Sequence, residues 1–404
     1  MFFQLKSLKK IIKILIRFIQ TSRSTAIILL STPFALPIFF SAYRFINPNV
    51  KRIGHLCADL DVYLKKRVFG DLSFKAVVLA PTKQIANKHI VDYFSDKGII
   101  FIKNTLLCLI LRPLAKNPIC SKDISQYSET IGSSDYHRTQ SRWGSREPLL
   151  RLTDFDLSRG RLALQAMGVP EDAWHVCIHS RESGYSGKHD FGQSFRNSDI
   201  DAYNEAIDEV IRRGGWCFRM GDKTMKPVQP KLRLIDFAHH NKKNHDWLDV
   251  YLCATAKMFL GNTSGAFGLS SVFGVPVATA NMIPLGVVLP GNYLDLSIPK
   301  LYRNKKTGLL ENFKTIFETQ FANARTDHEI TNDRFEIVNN FPEDIKDLLI
   351  EQLDRIDGKF KDDADDISRQ KKFRSFLKPG HYSFESQSKI SSVFLKKYQY
   401  LLWD

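Results

Sequence analysis

Four short apolar runs in the middle of this chain end on residues equipped to handle charge. The run 173–179 closes on His179-Ser180-Arg181, and 216–220 on Gly221-Asp222. Residues 258–261 close on Asn262-Thr263-Ser264-Gly265, and the run after Pro276 ends at Asn281. Continuous apolar runs of about five residues suit strands covered on both faces, as in parallel sheets. Ligands on such sheets bind beyond the carboxyl ends of the strands, so four polar ends in one region predict a single binding rim. Small hydroxyls, glycine N–H groups and a guanidinium together make an anion site. Gly261 and Gly265 allow close backbone approach. Residues 264–273 have the length of a short helix, capped by Thr263 or Ser264, whose first N–H groups favour phosphate. Arg181 supplies a planar fork for phosphate oxygens. The structural alternative is that the cap only satisfies the helix and that Arg181 pairs with Glu182 or Asp222.

The elements positioning these residues alternate. Residues 51–56 read as a short strand leading to a helix over 59–64. Strands follow at 75–80 and 98–102, with a helix near 84–95 between them. Residues 121–150 are polar and read as a loop. A second series begins with a helix over 157–167. It continues with the strand 173–179, a helix over 198–213, strands at 216–220 and 232–237, a helix over 245–256, and the strand–helix–strand 258–281. Strands alternating with helices predict a doubly wound parallel sheet. Residues from 301 onward read as charged and largely helical.

The composition, 43% hydrophobic and 25% charged over 404 residues, has room for two domains. A net charge of +15 calls for an anionic partner. The excess is concentrated at the N-terminus, where no Asp or Glu precedes Asp59; the mildly basic body argues against nucleic acid as that partner. Residues 2–20 place Lys6, Lys9, Lys10, Lys13 and Arg17 on one helical face and Phe, Leu and Ile on the other, the pattern of a helix lying on an anionic membrane surface. The uncharged stretch 24–43 has the length of a span but contains Pro33 and Pro37, leaving spanning and interfacial placements both open. A cleaved signal peptide fits the heavily charged first twenty residues poorly. The six cysteines form no CxxC pair and read as buried, reduced thiols. P-loop, GxGxxG, HExxH and GxSxG patterns are absent. Asp59-Leu-Asp61 and Asp154-Phe-Asp156 match a short DxD pattern, too brief to predict a metal site.

The runs HVCIHSRESGY (175–185), SFRNSDIDAY (194–203), GGWCFRMGD (214–222), LDVYLCATAKMFLGNTSG (248–265) and FGVPVATAN (273–281) together resemble a family of bacterial glycosyltransferases of surface-polysaccharide synthesis. RIGHL (52–56) and SIPKLYRNKKTG (297–308) fit the same pattern. His179-x-Arg181 is similar to the HxR element of GT-B fucosyltransferases, in which the Arg contacts donor phosphate. Here Glu182-Ser183-Gly184-Tyr185 follows rather than Gly-Asp, a departure from the GDP-fucose pattern.

The resemblance implies a GT-B-like α/β architecture of two Rossmann-like doubly wound domains facing a cleft. Its expected division is a membrane-associating segment (1–44), an acceptor domain (45–155), a nucleotide-sugar domain (156–300) and a helical extension (301–404). It implies hexosyl or deoxyhexosyl transfer from a nucleotide-sugar to a glycan or lipid-linked acceptor, at the cytoplasmic face of the inner membrane and without a metal. Arg181, Ser264 and the N–H groups at 264–266 would stabilise the leaving diphosphate. His179, Gly221, Asn262, Thr263 and Gly265 would shape the donor site, Arg219 and Asp222 would position ribose or base, and Asn281 would contact the donor. His55 or Asp59 would act as base, with Glu182 in reserve. The competing function is a non-catalytic, membrane-associated nucleotide-binding scaffold.

Overall fold

The computed structural model describes residues 25–124, 134–183, 192–240, 246–331 and 333–403. The basic amphipathic stretch 2–20 therefore lies outside the described residues. Helix α1 (residues 25–40) is followed by β1 (Tyr43–Ile46), α2 (Ile53–Val68), β2 (Lys75–Leu79), α3 (Lys88–Asp96), β3 (Ile100–Ile102), α4 (Thr105–Lys116), β4 (Ser121–Lys122) and α5 (Asp135–Trp143). The first sheet is parallel throughout, in the order β3-β2-β1-β4.

Two expectations fail here. Residues 51–56 do not make a strand; from Ile53 they are the first turn of α2, and the strand is Tyr43–Ile46. Gly54 suggested a turn, yet it lies within the helix because another backbone passes close to it. The expected loop 121–150 contains α5, capped by the Ser134 side chain and tied to α2 by Lys65 donating to Gln140 at 2.6 Å. Residues 125–133 of that stretch lie outside the described residues.

The second series runs α6 (Asp154–Ala166), β5 (His175–Ile178), α7 (Asn204–Arg212), β6 (Trp216–Arg219), β7 (Leu234–Ile235), α8 (Asp246–Thr255), β8 (Met258–Gly261), α9 (Gly268–Val272), β9 (Val277–Met282) and β10 (Leu296–Pro299). Beyond these come the hairpin partners β11 (Leu301–Asn304) and β12 (Phe335–Val338), with α10 (Phe313–Phe317) and α11 (Asp327–Ile330) between them. α12 (Pro342–Ile356), α13 (Ala364–Ser375), β13 (Lys389–Ile390) and α14 (Ser392–Lys397) complete the chain. The second sheet is also parallel, in the order β13-β10-β9-β8-β5-β6-β7.

Residues 301–404 are therefore more than a helical extension. They supply the edge strand β13, and the buried side chains Ile345, Leu348, Leu349 and Leu353 of α12 join the core on one face of the large sheet. The opposite face shares a second core with the first sheet: Leu56 and Leu60 of α2 and Ile90 and Phe94 of α3 pack in one cluster with Phe218, Leu252 and Phe259. The two halves are also pinned by polar contacts, Asn87 Nδ2 to the Asp246 carbonyl at 2.8 Å and the Lys88 N–H to the Asp246 carboxylate at 2.7 Å.

Candidate functional site

In a doubly wound sheet the winding direction reverses between the first strand and the strand placed on its other side, and a crevice opens at their carboxyl ends. In the large sheet those strands are β5 and β8. Their exits carry His179-Ser180-Arg181 and Asn262-Thr263-Ser264-Gly265. In the first sheet the reversal falls beside β1, and the connection leaving β1 leads into α2, which carries His55 in its first turn. The two reversal points meet. A Cβ on Gly54 would lie 2.5 Å from the Cα of Gly265, and one on Gly268 would lie 3.3 Å from the Gly54 Cα. Glycine is required at this crossing because the backbones of α2 and the Ser264–Gly265 turn touch.

The rim residues divide into two sets. Asn262 is fully buried, accepts the Arg181 N–H on Oδ1 at 3.0 Å and donates from Nδ2 to the Arg196 carbonyl at 3.2 Å. Thr263 Oγ1 accepts the Ile283 N–H at 3.0 Å. Asn281, also fully buried and in the left-handed region (φ 53), exchanges two hydrogen bonds with Asn340 and donates to Ser198 Oγ at 3.0 Å. These three, expected to meet a donor, also brace the strand ends.

Arg219 likewise turns inward. It is 0% exposed, with its guanidinium on the Met220 carbonyl (2.8 Å), Met225 Sδ and Glu182 Oε1 (3.0 Å). Glu182, the reserve base of the sequence reading, makes that ion pair and accepts the Lys226 N–H at 2.6 Å. Gly221 leaves room for this arrangement, since a Cβ there would strike the Arg219 guanidinium at 2.4 Å. Asp222 folds back onto Thr224, accepting its N–H at 2.8 Å and its hydroxyl at 2.5 Å. It does not pair with Arg181.

The second set is half-exposed around the crossing: His55, Arg181, Arg196, Ser264 and Gly265. Arg181 reaches the Gln193 carbonyl at 2.9 Å and the Asn197 side chain. Arg196 grips the Thr263 carbonyl with Nε (3.1 Å) and Nη2 (2.9 Å). Beneath them Lys300 is buried and donates to the carbonyls of Phe195 (2.8 Å) and Asn197 (2.7 Å); burial and Arg181 lower its pKa to about 8. Three cations thus converge on the loop 193–198. Across the crossing, burial first and then Arg52 and Arg196 lower the His55 pKa from 6.5, so its imidazole is neutral at neutral pH. Asp59 lies one turn further along α2, buried, 3.9 Å from His55 Nδ1.

His179 is buried and neutral, its pKa lowered to about 4, mainly by burial. Its Nδ1–H donates to the Met220 carbonyl at 3.2 Å, leaving Nε2 to accept the Ser264 hydroxyl at 3.1 Å. Ser264 Oγ also caps the following turn by accepting the Ala266 N–H at 3.4 Å, and the Ser264 N–H donates to the Asn262 carbonyl at 2.6 Å. Two of the three N–H groups expected to meet a phosphate are therefore spent on the turn itself. The half-exposed cations left at the rim are the Arg181 and Arg196 guanidinium groups.

Asp61 is held by Lys65 (2.7 Å), and Asp156 by Tyr93, Arg159 and His89, so the two DxD patterns supply ion pairs. Among the described residues no group of three His, Cys, Asp or Glu side chains gathers as metal ligands would. All six cysteines are buried thiols. Sequence reasoning missed Arg196, Lys300 and Asn340 as contributors to the rim. Arg196 ends a short 3-10 helix and Lys300 links β10 to β11, so only the fold brings them to the β5–β8 exits.

No protein-family model matches the chain, and no curated protein matches it in sequence. Among solved structures it is similar to the glycosyl transferase family 9 protein from Veillonella parvula DSM 2008, with 8% identity, 77% of this chain and 97% of that chain covered, and a TM-score of 0.46. It is similar to the E. coli ADP-heptose lps heptosyltransferase II, with 10% identity, 76% and 99% covered, and a TM-score of 0.44. TibC, an iron-containing dodecameric glycosyltransferase from enterotoxigenic E. coli H10407, is also similar, with 13% identity, 62% and 60% covered, and a TM-score of 0.32.

Proposed function

We propose that the protein transfers a sugar from a nucleotide-sugar donor to a glycan acceptor. The observation that carries this reading is the convergence of Arg181, Arg196 and Lys300 at the strand-reversal point of the large sheet, against a neutral His55 contributed by the other half. A cationic rim at that point suits a diphosphate. A neutral imidazole on the opposite wall suits removal of a proton from a hydroxyl.

In the reaction the bond between the anomeric carbon and the diphosphate oxygen breaks as the acceptor oxygen attacks. Negative charge grows on the departing diphosphate, where Arg181 and Arg196 stabilise it. His55 takes the acceptor proton, and Asp59 orients the imidazole and stabilises the imidazolium. Lys300 acts through position, fixing the 193–198 loop on which Arg196 is carried. No divalent cation is required in this scheme, because the fixed cations supply the charge. We further propose a lipid-linked surface-glycan acceptor and residence at the cytoplasmic face of the inner membrane. The N-terminal 58 residues, basic and without an acid, support attachment to an anionic membrane surface. Nucleic acid is not a proposed partner.

The test is release of nucleoside diphosphate from a panel of nucleotide-sugars, with extracted lipid-linked glycans as acceptors and with EDTA present. Turnover with one donor supports transfer. Nucleotide binding without turnover on any donor would instead establish the scaffold.

A further inference from the structure

Helix α1 turns a row of large apolar side chains away from the protein. Ser31 and Ala35 face inward, and Ser31 Oγ accepts from Asn117 Nδ2 at 3.0 Å. Its outward side carries Leu29, Leu30, Phe34 and Phe40, exposed by 67–83%. Helix α4 lies on the same face of the first sheet: Ala35 and Ile38 of α1 and Leu111, Leu114 and Ala115 of α4 share one small core with Phe45, Val77 and Leu79. α4 also turns apolar residues outward, Leu106 and Ile110 among them, at 65% and 60% exposure. Large apolar side chains exposed on two helices of one face mark an interaction site.

Its charge setting selects the partner. No acid occurs in residues 1–58 or between Asp96 and Asp123, whereas Arg112 and Lys116 on α4 and Lys6, Lys9, Lys10, Lys13, Arg17 and Arg23 ahead of α1 are all basic. Among the described residues no helix is long and apolar enough to cross a membrane. Exposed apolar side chains on segments that carry bases and no acid match the interface of an anionic bilayer, with acyl chains for the one and phosphates for the other.

We propose that the outward faces of α1 and α4 together form a docking surface for an anionic lipid bilayer, entered without spanning. The inference rests on the membrane attachment proposed above and adds α4, which begins more than eighty residues beyond Arg23. It also fixes an orientation. The bilayer lies against α1 and α4, the first sheet comes next, and α2 and α3 on that sheet's other side carry His55 toward the large sheet.

The test is flotation of the full chain with phosphatidylglycerol–phosphatidylcholine vesicles, beside the variant L106E/I110E, which alters only exposed positions and leaves the tail intact. The wild type is expected to float, and the variant to partition at least about tenfold less with an unchanged melting temperature. A variant that floats like the wild type would overturn the docking surface and leave the tail as the sole anchor. A wild type that fails to float would overturn the attachment as well. A wild-type dimer that the variant converts to monomer, with flotation unchanged, would make this face a protein interface and would equally overturn the proposal.

Discussion

At the scale of single residues, two arginines that look alike in sequence have opposite duties, and mutation should separate them. Arg181→Ala removes a half-exposed fork that reaches the Gln193 carbonyl and the Asn197 side chain. Turnover should fall by about two orders of magnitude or more, with a stability loss of only about 1 kcal/mol, read as kcat and as Tm. Arg219→Ala leaves Glu182 without its buried partner and should cost about 3–5 kcal/mol, seen as a large drop in Tm. If the two variants showed the same pattern, the division of the rim into binding and bracing sets would be wrong.

His55→Gln should lower kcat by roughly 10²–10⁴-fold. The His55 pKa is lowered from 6.5, mainly by burial, so the wild-type rate should fall on the acid side with its midpoint below pH 6.5, as the imidazole gains a proton. The residual rate of His55→Gln should lack that acid limb. The sequence placed polar residues at the strand ends but left unread which of them turn inward. Asn262, Thr263 and Asn281 were indistinguishable from Ser264 until the loops closed on them, because an amide that satisfies a neighbouring loop and one that meets a ligand have the same local sequence context. Asn340, which secures Asn281, comes from a turn nearly sixty residues away.

At the scale of elements, the crossing of α2 over the Ser264–Gly265 turn is the joint of the molecule. Gly54→Ala would place a methyl 2.5 Å from the Gly265 Cα, with backbone on both sides and no flexible side chain to yield. It should cost about 1–3 kcal/mol and reduce kcat together with stability, since the wall carrying His55 must shift. Gly268→Ala, at 3.3 Å, should be the milder of the two. Denaturant midpoints and kinetics on the pair would check this. The strands of the large sheet were legible because buried parallel strands read as plain apolar runs bounded by glycine and polar residues. α2 was misread at its start because a glycine needed for helix-to-turn contact carries the same signal as one needed for a turn. β13 is two residues long and holds its place through packing by α12 and α14, so no local pattern announces it.

At the scale of the whole molecule, buried titratable groups set the response to acid. Burial lowers the pKa of His137 to about 3 and those of His175 and His179 to about 4, from 6.5. Each depressed histidine contributes stability that is present above pH 6.5 and is lost as the pH falls toward its folded value, because only the unfolded chain takes up the proton. The loss is roughly 3 kcal/mol for each by pH 4. Asp295, raised from 3.8 to about 7 by burial, acts in the opposite sense: its contribution is present at low pH and is lost as the pH rises through 7. Three groups oppose one, so Tm should fall between pH 6.5 and 4, and Asp295→Asn should steepen that fall by removing the compensating group.

The central claim is that the cationic rim holds a nucleoside diphosphate. It is tested most directly by the thermal stability of the detergent-solubilised full chain, and of Arg181→Ala, with UDP, GDP, CMP, TDP and ADP, each with and without EDTA. A ligand that binds only the folded state, at a hundredfold excess over its Kd, stabilises it by about 2.7 kcal/mol. One nucleotide should raise the wild-type Tm, unchanged by EDTA, and leave the Tm of Arg181→Ala where it was. A wild type indifferent to all five nucleotides, or a variant shifted as far as the wild type, would contradict the account.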